Sequence, residues 1–330
     1  MKSKNLIVFD MDGVIMDVSN SYRDVVRQTT KLFFSPAHGS EKLPDPLFNL
    51  SDLAGIKQSG GLNNDWNLTY TVINLLFSLI KKPSHRKSKD TWETYRETLN
   101  RCDVTPISGF LNSADKPLQI LLEKKGINED NFVRFLHEGD VGSGNIIKQI
   151  FQEIYLGKEL FISTYGLTPK MYHGEGYILR ETVMMTRLML EELSRINHLA
   201  IATGRPIAEA EYPLEHFKLK GYFDIVYSLD DCLKEEKRIL DEEGKEVSLS
   251  KPDPYMLDAI AEKYEDEATG FYYVGDMPDD MVAAGRSRFG YKSIGILISA
   301  PDKLRLKEKL VRAGADYIVD DFEDLKEIIL

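Results

Sequence analysis

The sequence predicts an α/β protein with a doubly wound parallel sheet and a large helical segment inserted after the first strand. Three observations predict this class. Residues 6–9 form a short, continuous apolar run, which indicates a strand over residues 5–10 that is buried on both faces. From residue 198 to 319, short apolar runs alternate with helical periods, a pattern typical of parallel βαβ units. Residues 17–194 are mainly helical, and because a lone strand is not stable, the first strand must join the later sheet.

Composition places the chain among ordinary globular proteins. Its 330 residues suggest two domains or one domain with a large insertion, and 42% of them are hydrophobic and 29% charged. A net charge of -11 argues against a nucleic-acid partner. With only Cys102 and Cys232, a disulfide framework and a cysteine zinc site are excluded. The sequence shows no signal peptide and no apolar run of about 20 residues, so we expect a cytoplasmic protein without a membrane partner.

The first half of the chain predicts helices separated by polar loops. Apolar spacing favours helices over residues 19–34 and 66–81. Glycine, proline and asparagine favour loops between these helices. The predicted loops cover residues 36–46, 49–67 and 81–89, the last a basic, solvated one. From 91 to 196 the pattern stays mainly helical and ends with a helix over 182–196.

The second half predicts strands that alternate with helices. The predicted strands cover residues 198–202, 223–228, 271–276, 293–298 and 317–319, and the helices cover 252–264, 278–289 and 301–313. A charged insertion over 233–250, centred on Gly244, is interpreted as a hairpin. These elements predict a core formed by residues 1–16 and 195–330 and a second, helical domain formed by 17–194.

Two carboxylates follow the first strand. Asp10 and Asp12 lean the same way if strand geometry continues, and Gly13 lets the chain turn away. Two charges ~4 Å apart repel by about 4 kcal/mol at an effective dielectric of about 20. A fold tolerates this when a cation sits there or one carboxyl stays protonated. The alternative is a strand that simply runs into an acidic turn.

Other polar residues follow later strands. Thr203 ends the second strand at a helix N-terminus, Lys251 opens a helix after a further strand, and Asp276 ends another strand one helical turn before Asp280. Ligands of open parallel sheets bind beyond the carboxyl ends of the strands, so these residues should meet there. Acids with one lysine and one threonine suit Mg²⁺ and an anionic phosphate substrate. One aspartate can attack phosphorus while a second transfers the proton.

Four motifs in order resemble the haloacid dehalogenase superfamily, specifically its subfamily I phosphohydrolases with a phosphoglycolate-phosphatase-like, Rossmann-like core. The motifs are Asp10-Met11-Asp12-Gly13-Val14, Thr203-Gly204-Arg205, Lys251-Pro252-Asp253-Pro254 and Gly275-Asp276-Met277-Pro278-Asp279-Asp280. Met277 departs from the small hydroxyl residue often found there, which affects one hydrogen bond and not the mechanism.

The resemblance implies a role for each matching residue. Asp10 would be the nucleophile, and Asp12 would be the acid/base and bind Mg²⁺ through its backbone carbonyl. Thr203 and Lys251 would bind phosphate. Asp276 and Asp280 would complete the metal site. Gly204 and Arg205, from the second motif, are further candidates for substrate binding, and for Arg205 a surface salt bridge is the alternative.

The position of residues 17–194 resembles the type-1 helical cap of this family, although the segment is longer than the compact caps. Such caps close over small substrates and supply specificity. We predict that Asn63 and Asn64 contact the substrate, while an Asx-rich turn that caps the next helix is the alternative. The segment 142–145, Gly-Ser-Gly-Asn, lacks the lysine and strand of a phosphate loop and predicts a turn.

Together these features predict a Mg²⁺-dependent phosphomonoester hydrolase that acts on a small phosphorylated metabolite. Two enzymatic alternatives are a phosphoryl-transferring mutase and a phosphonate hydrolase, which would need a cap lysine that forms a Schiff base. A dehalogenase is disfavoured because Asp12 and the metal-binding acids are present. A non-enzymatic binding or regulatory module, with the long helical segment as a partner surface, is the alternative from another class.

Overall fold

The chain folds into two compact units, one built on a sheet and one helical. The computed structural model describes residues 4–58, 64–81, 90–126 and 129–329. The sheet unit consists of Met1–Val18 and Glu181–Leu330, and the helical unit consists of Ser19–Arg180. The helical unit is therefore an insertion that leaves and re-enters the sheet unit near its first strand.

Six parallel strands form the main sheet. The described residues contain eight strands, of which two form a separate ribbon. In chain order they are β1 (Lys4–Phe9), β2 (Met16–Asp17), β3 (Thr182–Val183), β4 (Asn197–Ala202), β5 (Ile225–Tyr227), β6 (Ala268–Gly275), β7 (Lys292–Ile296) and β8 (Tyr317–Val319). The order across the sheet is β5-β4-β1-β6-β7-β8, and β2 and β3 pair separately as an antiparallel ribbon. This is a doubly wound sheet, and the predicted fold class is confirmed.

The α-helices fall into two groups, one that forms the helical unit and one that belongs to the sheet unit. The helical unit contains α1 (Tyr22–Phe33), α2 (Leu50–Gln58), α3 (Asp65–Phe77), α4 (Thr91–Leu99), α5 (Thr105–Leu111), α6 (Pro117–Lys125), α7 (Asn131–Phe135) and α8 (Ile146–Tyr165). The sheet unit contains α9 (Arg187–Ile196), α10 (Ile207–His216), α11 (Leu229–Glu243), α12 (Tyr255–Ala261), α13 (Pro278–Arg286), α14 (Lys303–Arg312) and α15 (Phe322–Ile329). Among the described residues, no helix is both long and apolar enough to cross a bilayer.

Burial of the sheet on both faces explains the uninterrupted apolar runs. Along β1, Ile7 and Phe9 enter one core cluster, while Leu6 and Val8 enter the cluster on the opposite face. Alternate residues of a strand point to opposite faces, so a strand covered on both sides must be apolar throughout. This confirms the interpretation of residues 5–10 as a buried strand.

The connection topology creates a crevice beside β1. Phe9 lies opposite Ile201 of β4 on one side and opposite Val274 of β6 on the other. The chain connections run in opposite directions from this point, and such a switch point leaves a crevice at the carboxyl ends of the strands. Asp10, the residue after β1, opens into that crevice together with the residues that follow β4 and β6.

The predicted hairpin over 233–250 is wrong. The structure has helix α11 there, and it ends at Gly244, whose φ is 68°. The backbone N–H of Ser228 donates to the Asp231 carboxylate over 2.8 Å, a reciprocal cap that starts the helix. Arg238 pairs with Glu235 and Glu242 on the helix surface, so the charges that suggested a loop support the helix instead.

Three further expectations need correction. Residues 49–67 are not all loop, because α2 occupies part of that range and buried Asp52 accepts hydrogen bonds from the N-terminal N–H groups of α6. Lys251 does not directly follow a strand, because α11 and the irregular residues 244–250 separate it from β5. The helix predicted over 182–196 begins only at Arg187, because Thr182–Val183 pairs with β2.

The boundary between the units also differs from the predicted 194/195. Residues 181–194 lie with the sheet unit. The reason is packing, since Met189, Leu190 and Leu193 of α9 enter the same core cluster as Ile7 and Phe9 of β1. The predicted boundary followed the helical pattern of the sequence, which does not say against what a helix packs.

Candidate active site

Three carboxylates converge at the carboxyl edge of the sheet. Asp10 follows β1, Asp276 follows β6 and Asp280 lies in the first turn of α13. One oxygen from each lies within 4.8 Å of the others. Asp10 is only 6% exposed and Asp280 is fully buried. Oxygen ligands at this spacing form a donor set that fits a hard divalent cation.

Local chain geometry holds Asp280 in place. The backbone N–H of Met277 donates to Asp280 Oδ2 over 2.9 Å, which caps the start of α13. Gly275 makes room for this side chain, because a Cβ at that position would lie 2.4 Å from Asp280 Oδ2. The motif from Gly275 to Asp280 is thus a folding device as well as a source of ligands.

Lys251 supplies the positive charge beside the carboxylates. Its Nζ lies 2.9 Å from Asp10 Oδ1 and 2.7 Å from Asp280 Oδ1. Nζ also donates to the hydroxyl of Tyr273 over 3.0 Å, and that hydroxyl donates to Asp280 Oδ1 over 2.9 Å. Lys251 therefore bridges the carboxylate that follows β1 and the one in α13.

Sequence reasoning missed two residues of this site. Buried Tyr273 connects Lys251 with Asp280, and Ser299 Oγ donates to Asp276 Oδ2 over 3.2 Å. The one available signal for Tyr273 was its place two residues before the end of an apolar strand, on the face of the sheet opposite Val274. Ser299 follows β7 without any motif, so only the folded chain reveals it.

Asp12 has a different environment from Asp10. Its side chain is 35% exposed, and its Oδ1 accepts a hydrogen bond from Arg205 Nε over 2.7 Å. Arg205 is 2% exposed and also contacts Glu181, so the surface salt bridge considered from the sequence is wrong. The guanidinium is instead a buried cation shared by two acids.

The remaining predicted residues lie in three places. Thr203 and Gly204 follow β4, and Thr203 Oγ1 accepts from the backbone N–H of Arg205 over 3.2 Å. Asn64 lies in the helical unit, where its side chain accepts from the N–H groups of Trp66 and Asn67 at the start of α3. Asn63 lies outside the described residues. The structure thus shows the capping alternative for Asn64, and a substrate contact of either asparagine stays a prediction.

Comparison with known proteins decides the family. The sequence pattern of the haloacid dehalogenase-like hydrolases matches residues 4–287, which includes all four motifs. The chain belongs to this hydrolase family. No curated protein matches it.

Solved structures of this haloacid dehalogenase-like fold cover nearly the whole chain. An X-ray structure of a Northeast Structural Genomics Consortium target is 22% identical, with a TM-score of 0.65 and 98% coverage of both chains. A structure described as phosphatase Tt82 from Thermococcus thioreducens is 19% identical, with a TM-score of 0.51, and the match covers 93% of this chain and 99% of that one. At these identities the likeness establishes the shared fold.

Burial and mutual repulsion shape the protonation of this hydrolase site. Burial raises the pKa of Asp10 from 3.8 to about 7, with Lys251 opposing the shift and Asp280 and Asp12 adding to it. Burial also raises the pKa of Asp276 to about 8, helped by the charges of Asp10 and Asp280. For Lys251 burial acts downward, but Asp10 and Asp280 hold its pKa well above the ordinary value. A divalent cation among these acids would stabilise their charged forms.

The stability of protein freed of divalent cations should fall as the pH rises. Groups with a raised folded-state pKa bind protons more tightly in the folded than in the unfolded chain. Their contribution is full below the ordinary carboxyl value of 3.8 and is lost as the pH passes about 7 for Asp10 and about 8 for Asp276. Thermal unfolding in chelator should therefore show a melting temperature that decreases from about pH 5 to about pH 9.

Mg²⁺ should reverse that trend, because a divalent cation bound to the deprotonated carboxylates would stabilise the folded state by mass action. The rise in melting temperature on adding Mg²⁺ should be larger at about pH 8.5 than at about pH 5.5. Asp276→Asn is the matched control, since it removes one titrating acid and should flatten both responses. A melting temperature that rises with pH in chelator would contradict the expectation.

Gly13 leaves space for Asp276. Its φ is +73°, and a Cβ there would lie 2.1 Å from Asp276 Oδ2. We expect Gly13→Ala to displace that carboxylate and weaken Mg²⁺ binding about 10- to 100-fold, the usual cost of disturbing the residues around metal ligands. Gly285→Ala in α13 is the control, because a Cβ there meets nothing within 4 Å. The Mg²⁺ dependence of the melting temperature measures the effect, and equal affinities of the two variants would refute it.

The helical unit has a separate cleft of about 550 Å³, lined in part by Asp90, Trp92, Gln149 and Lys170. Its polar side chains serve the fold. Asp90 caps α4 by accepting from Trp92 N over 2.8 Å, and Gln149 donates to the buried Glu153 carboxylate over 3.0 Å. The neighbouring segment 142–145 is a turn that ends in the N-cap of α8, as predicted.

Proposed function

We propose that the protein is a Mg²⁺-dependent phosphomonoester hydrolase that acts on a small phosphorylated metabolite through an aspartyl-phosphate. The observation that carries the proposal is the pairing of Asp10 with Lys251 beside Asp276 and Asp280, while the side chain of Asp12 pairs with a different cation, Arg205. Two nearby aspartates in unlike environments suit the two roles of nucleophile and proton carrier.

In the first step Asp10 attacks. A carboxylate oxygen of Asp10 forms a bond to phosphorus while the bond from phosphorus to the ester oxygen breaks. Asp12 gives its proton to the departing oxygen, and an alcohol leaves. Lys251 and the Thr203 hydroxyl offset charge on the transferring group.

In the second step water replaces the protein oxygen. Asp12, now a carboxylate, takes a proton from water as the water oxygen bonds to phosphorus. The bond from phosphorus to the Asp10 oxygen breaks, inorganic phosphate is released, and the free Asp10 carboxylate is regenerated. The proton balance closes because Asp12 gains in this step the proton that it gave in the first.

Asp10, Asp276 and Asp280, with the backbone carbonyl of Asp12, would hold Mg²⁺. When bound, the ion neutralises charge on the phosphoryl oxygens and on the clustered acids. Mg²⁺ held there would favour a phosphate substrate, because phosphate oxygens are among the ligands that this ion prefers. The name of the Thermococcus thioreducens structure, a phosphatase, supports the same chemistry.

The helical unit is proposed to act as a cap that selects the substrate. It is inserted between Val18 and Glu181, and the β2–β3 ribbon carries both crossings of the chain. Insertions of this kind close over small substrates and exclude water from the reaction. Asn63 and Asn64 remain candidates for substrate contact, and a cytoplasmic location remains a prediction.

The test is hydrolysis of a panel of phosphate esters by the purified full chain, with Mg²⁺ and with chelator. We expect release of phosphate that requires Mg²⁺ and disappears in Asp10→Asn. Turnover in chelator would overturn the mechanism. Fast exchange between sugar phosphates with slow hydrolysis would indicate a mutase. Borohydride trapping with a phosphonate substrate would indicate a phosphonate hydrolase.

A further inference from the structure

Arg205 carries its positive charge in the protein interior, where desolvation makes a charge energetically costly. It is 2% exposed, and its guanidinium contacts Asp12, Glu181 and Glu209. Nε and Nη2 contact Asp12 Oδ1 at 2.7 and 2.5 Å, Nη2 contacts Glu181 Oε2 at 3.0 Å, and Nη1 donates to the backbone carbonyl of Glu209 over 3.1 Å. A buried cation with this many directed contacts fixes the geometry of whatever it binds.

The side chain of Asp12 is the group whose orientation Arg205 restricts. It follows the end of β1 by three residues, beyond the hydrogen-bond ladder of the six-stranded sheet, and its side chain is 35% exposed. The guanidinium contacts one oxygen of this carboxylate, Oδ1, through both Nε and Nη2. The arginine thus sets the orientation of the carboxylate, while the exposed part of the side chain stays accessible to a reacting group.

Glu181 completes the arrangement. Its side chain is fully buried, and its contact with Arg205 balances the guanidinium so that the positive charge is shared between two acids. It is the first residue of the sheet unit after the helical insertion and directly precedes β3. β3 pairs with β2, and Asp12 makes a backbone bridge with Met16 of β2. Glu181 therefore ties Arg205 to the ribbon through which the chain returns.

We infer that Arg205 and Glu181 are positioning residues for Asp12, which they hold in the orientation required for proton transfer to and from the reacting oxygen. The inference rests on the proposed function. Arg205 acts through Asp12, and Glu181 acts through Arg205. A misplaced acid/base should damage those steps alone that need a proton.

Leaving groups distinguish this role from a general structural one. An alkyl phosphate expels a poor leaving group that needs the proton of Asp12, whereas p-nitrophenyl phosphate expels a good one that does not. The ratio kcat/KM is the right measure, since it covers only the steps up to release of the alcohol. In Arg205→Met we expect kcat/KM to fall about 100-fold for the alkyl phosphate, the scale of a lost or misplaced acid. For p-nitrophenyl phosphate it should change less than about 5-fold, because no acid is required there.

The variants form a matched series. Arg205→Lys keeps the positive charge but lacks the planar guanidinium with its fixed set of donors. Its kcat/KM for the alkyl phosphate should lie between those of Arg205→Met and wild type. Arg205→Met removes a buried cation from the buried Glu181 carboxylate and should lower the stability of the fold, so the double variant Arg205→Met with Glu181→Gln removes both charges together. The double variant should show the same selective loss. Arg195→Met is the control, because Arg195 is exposed and pairs with Glu191 on the surface of α9.

The outcomes separate the inference from the function on which it rests. A selective loss with the alkyl phosphate in folded Arg205→Met or in the double variant, with Arg195→Met at wild-type rates, supports the inference. Equal losses with both substrates in folded protein overturn it while the hydrolase function stands. A wild-type chain that hydrolyses neither substrate in Mg²⁺ overturns the proposed function itself.

Discussion

Asp10→Asn should abolish hydrolysis of phosphate esters. The substitution keeps the size of the side chain and removes the oxygen that would form the bond to phosphorus. Loss of a covalent nucleophile in another enzyme class costs about 10⁶-fold in kcat, and a loss of at least ~10⁴-fold is expected here. The measurement is steady-state phosphate release in Mg²⁺, together with acid quenching to detect labelled phosphate on the protein, which the variant should not retain.

Unfolding would not account for such a loss. Burial raises the pKa of Asp10 to about 7, which means that its surroundings disfavour the charged form. A neutral asparagine is therefore acceptable at that position, and in chelator at about pH 8 the variant should melt no lower than wild type. Lys251 keeps Asp280 as a partner at 2.7 Å. Near-normal turnover in Asp10→Asn would remove Asp10 from the role of nucleophile.

Asp12→Ala should slow the reaction about 10²- to 10⁴-fold, the usual contribution of a general acid/base. Unlike the change at position 10, it leaves the attacking carboxylate in place. The phosphorylated protein should therefore still form from an activated ester such as p-nitrophenyl phosphate. Its breakdown should be slow, since water must then attack without a base. A rapid-mixing experiment should show a burst of p-nitrophenol close to one equivalent, followed by slow turnover.

Loss of activity in Asp12→Ala should not come from unfolding, because the Arg205 guanidinium keeps an acidic partner. Removing the carboxylate takes one of two acids away from Arg205, while Glu181 remains at 3.0 Å. The guanidinium keeps a partner, so the fold should survive and circular dichroism should match wild type. A variant that turns over at the wild-type rate, or that shows no burst although it is folded, would refute the assigned role of Asp12.

Sequence patterns predicted which residues meet at the carboxyl edge of the sheet, because most of these residues directly follow strands. Asp10, Thr203 and Asp276 each come directly after an apolar run, and apolar runs are local features that a sequence displays. The edge at which parallel strands end is a property of the topology, so the meeting of these residues could be expected before the fold was seen. The same local reasoning failed for α11, where charges on a helix surface resembled a polar loop.

Contacts between distant residues lay beyond that reasoning. Arg205 and Asp12 are 193 positions apart, and no spacing rule links them. Tyr273 could have been an ordinary core tyrosine, and it became part of the site only because its hydroxyl reaches Lys251 and Asp280. The sequence pattern assigned α9 to the helical insertion, whereas its packing against β1 places it in the sheet unit.

The order of apolar runs and acidic turns alone determined that this chain is a parallel α/β protein with clustered carboxylates, since both follow from short stretches of covalent sequence. Only the tertiary structure decided what each acid contacts. It gave Asp10 a lysine and a pKa of about 7, and it gave Asp12 a buried arginine shared with Glu181. The physical reason is that desolvation and charge pairing depend on neighbours in space, which the chain acquires when it folds.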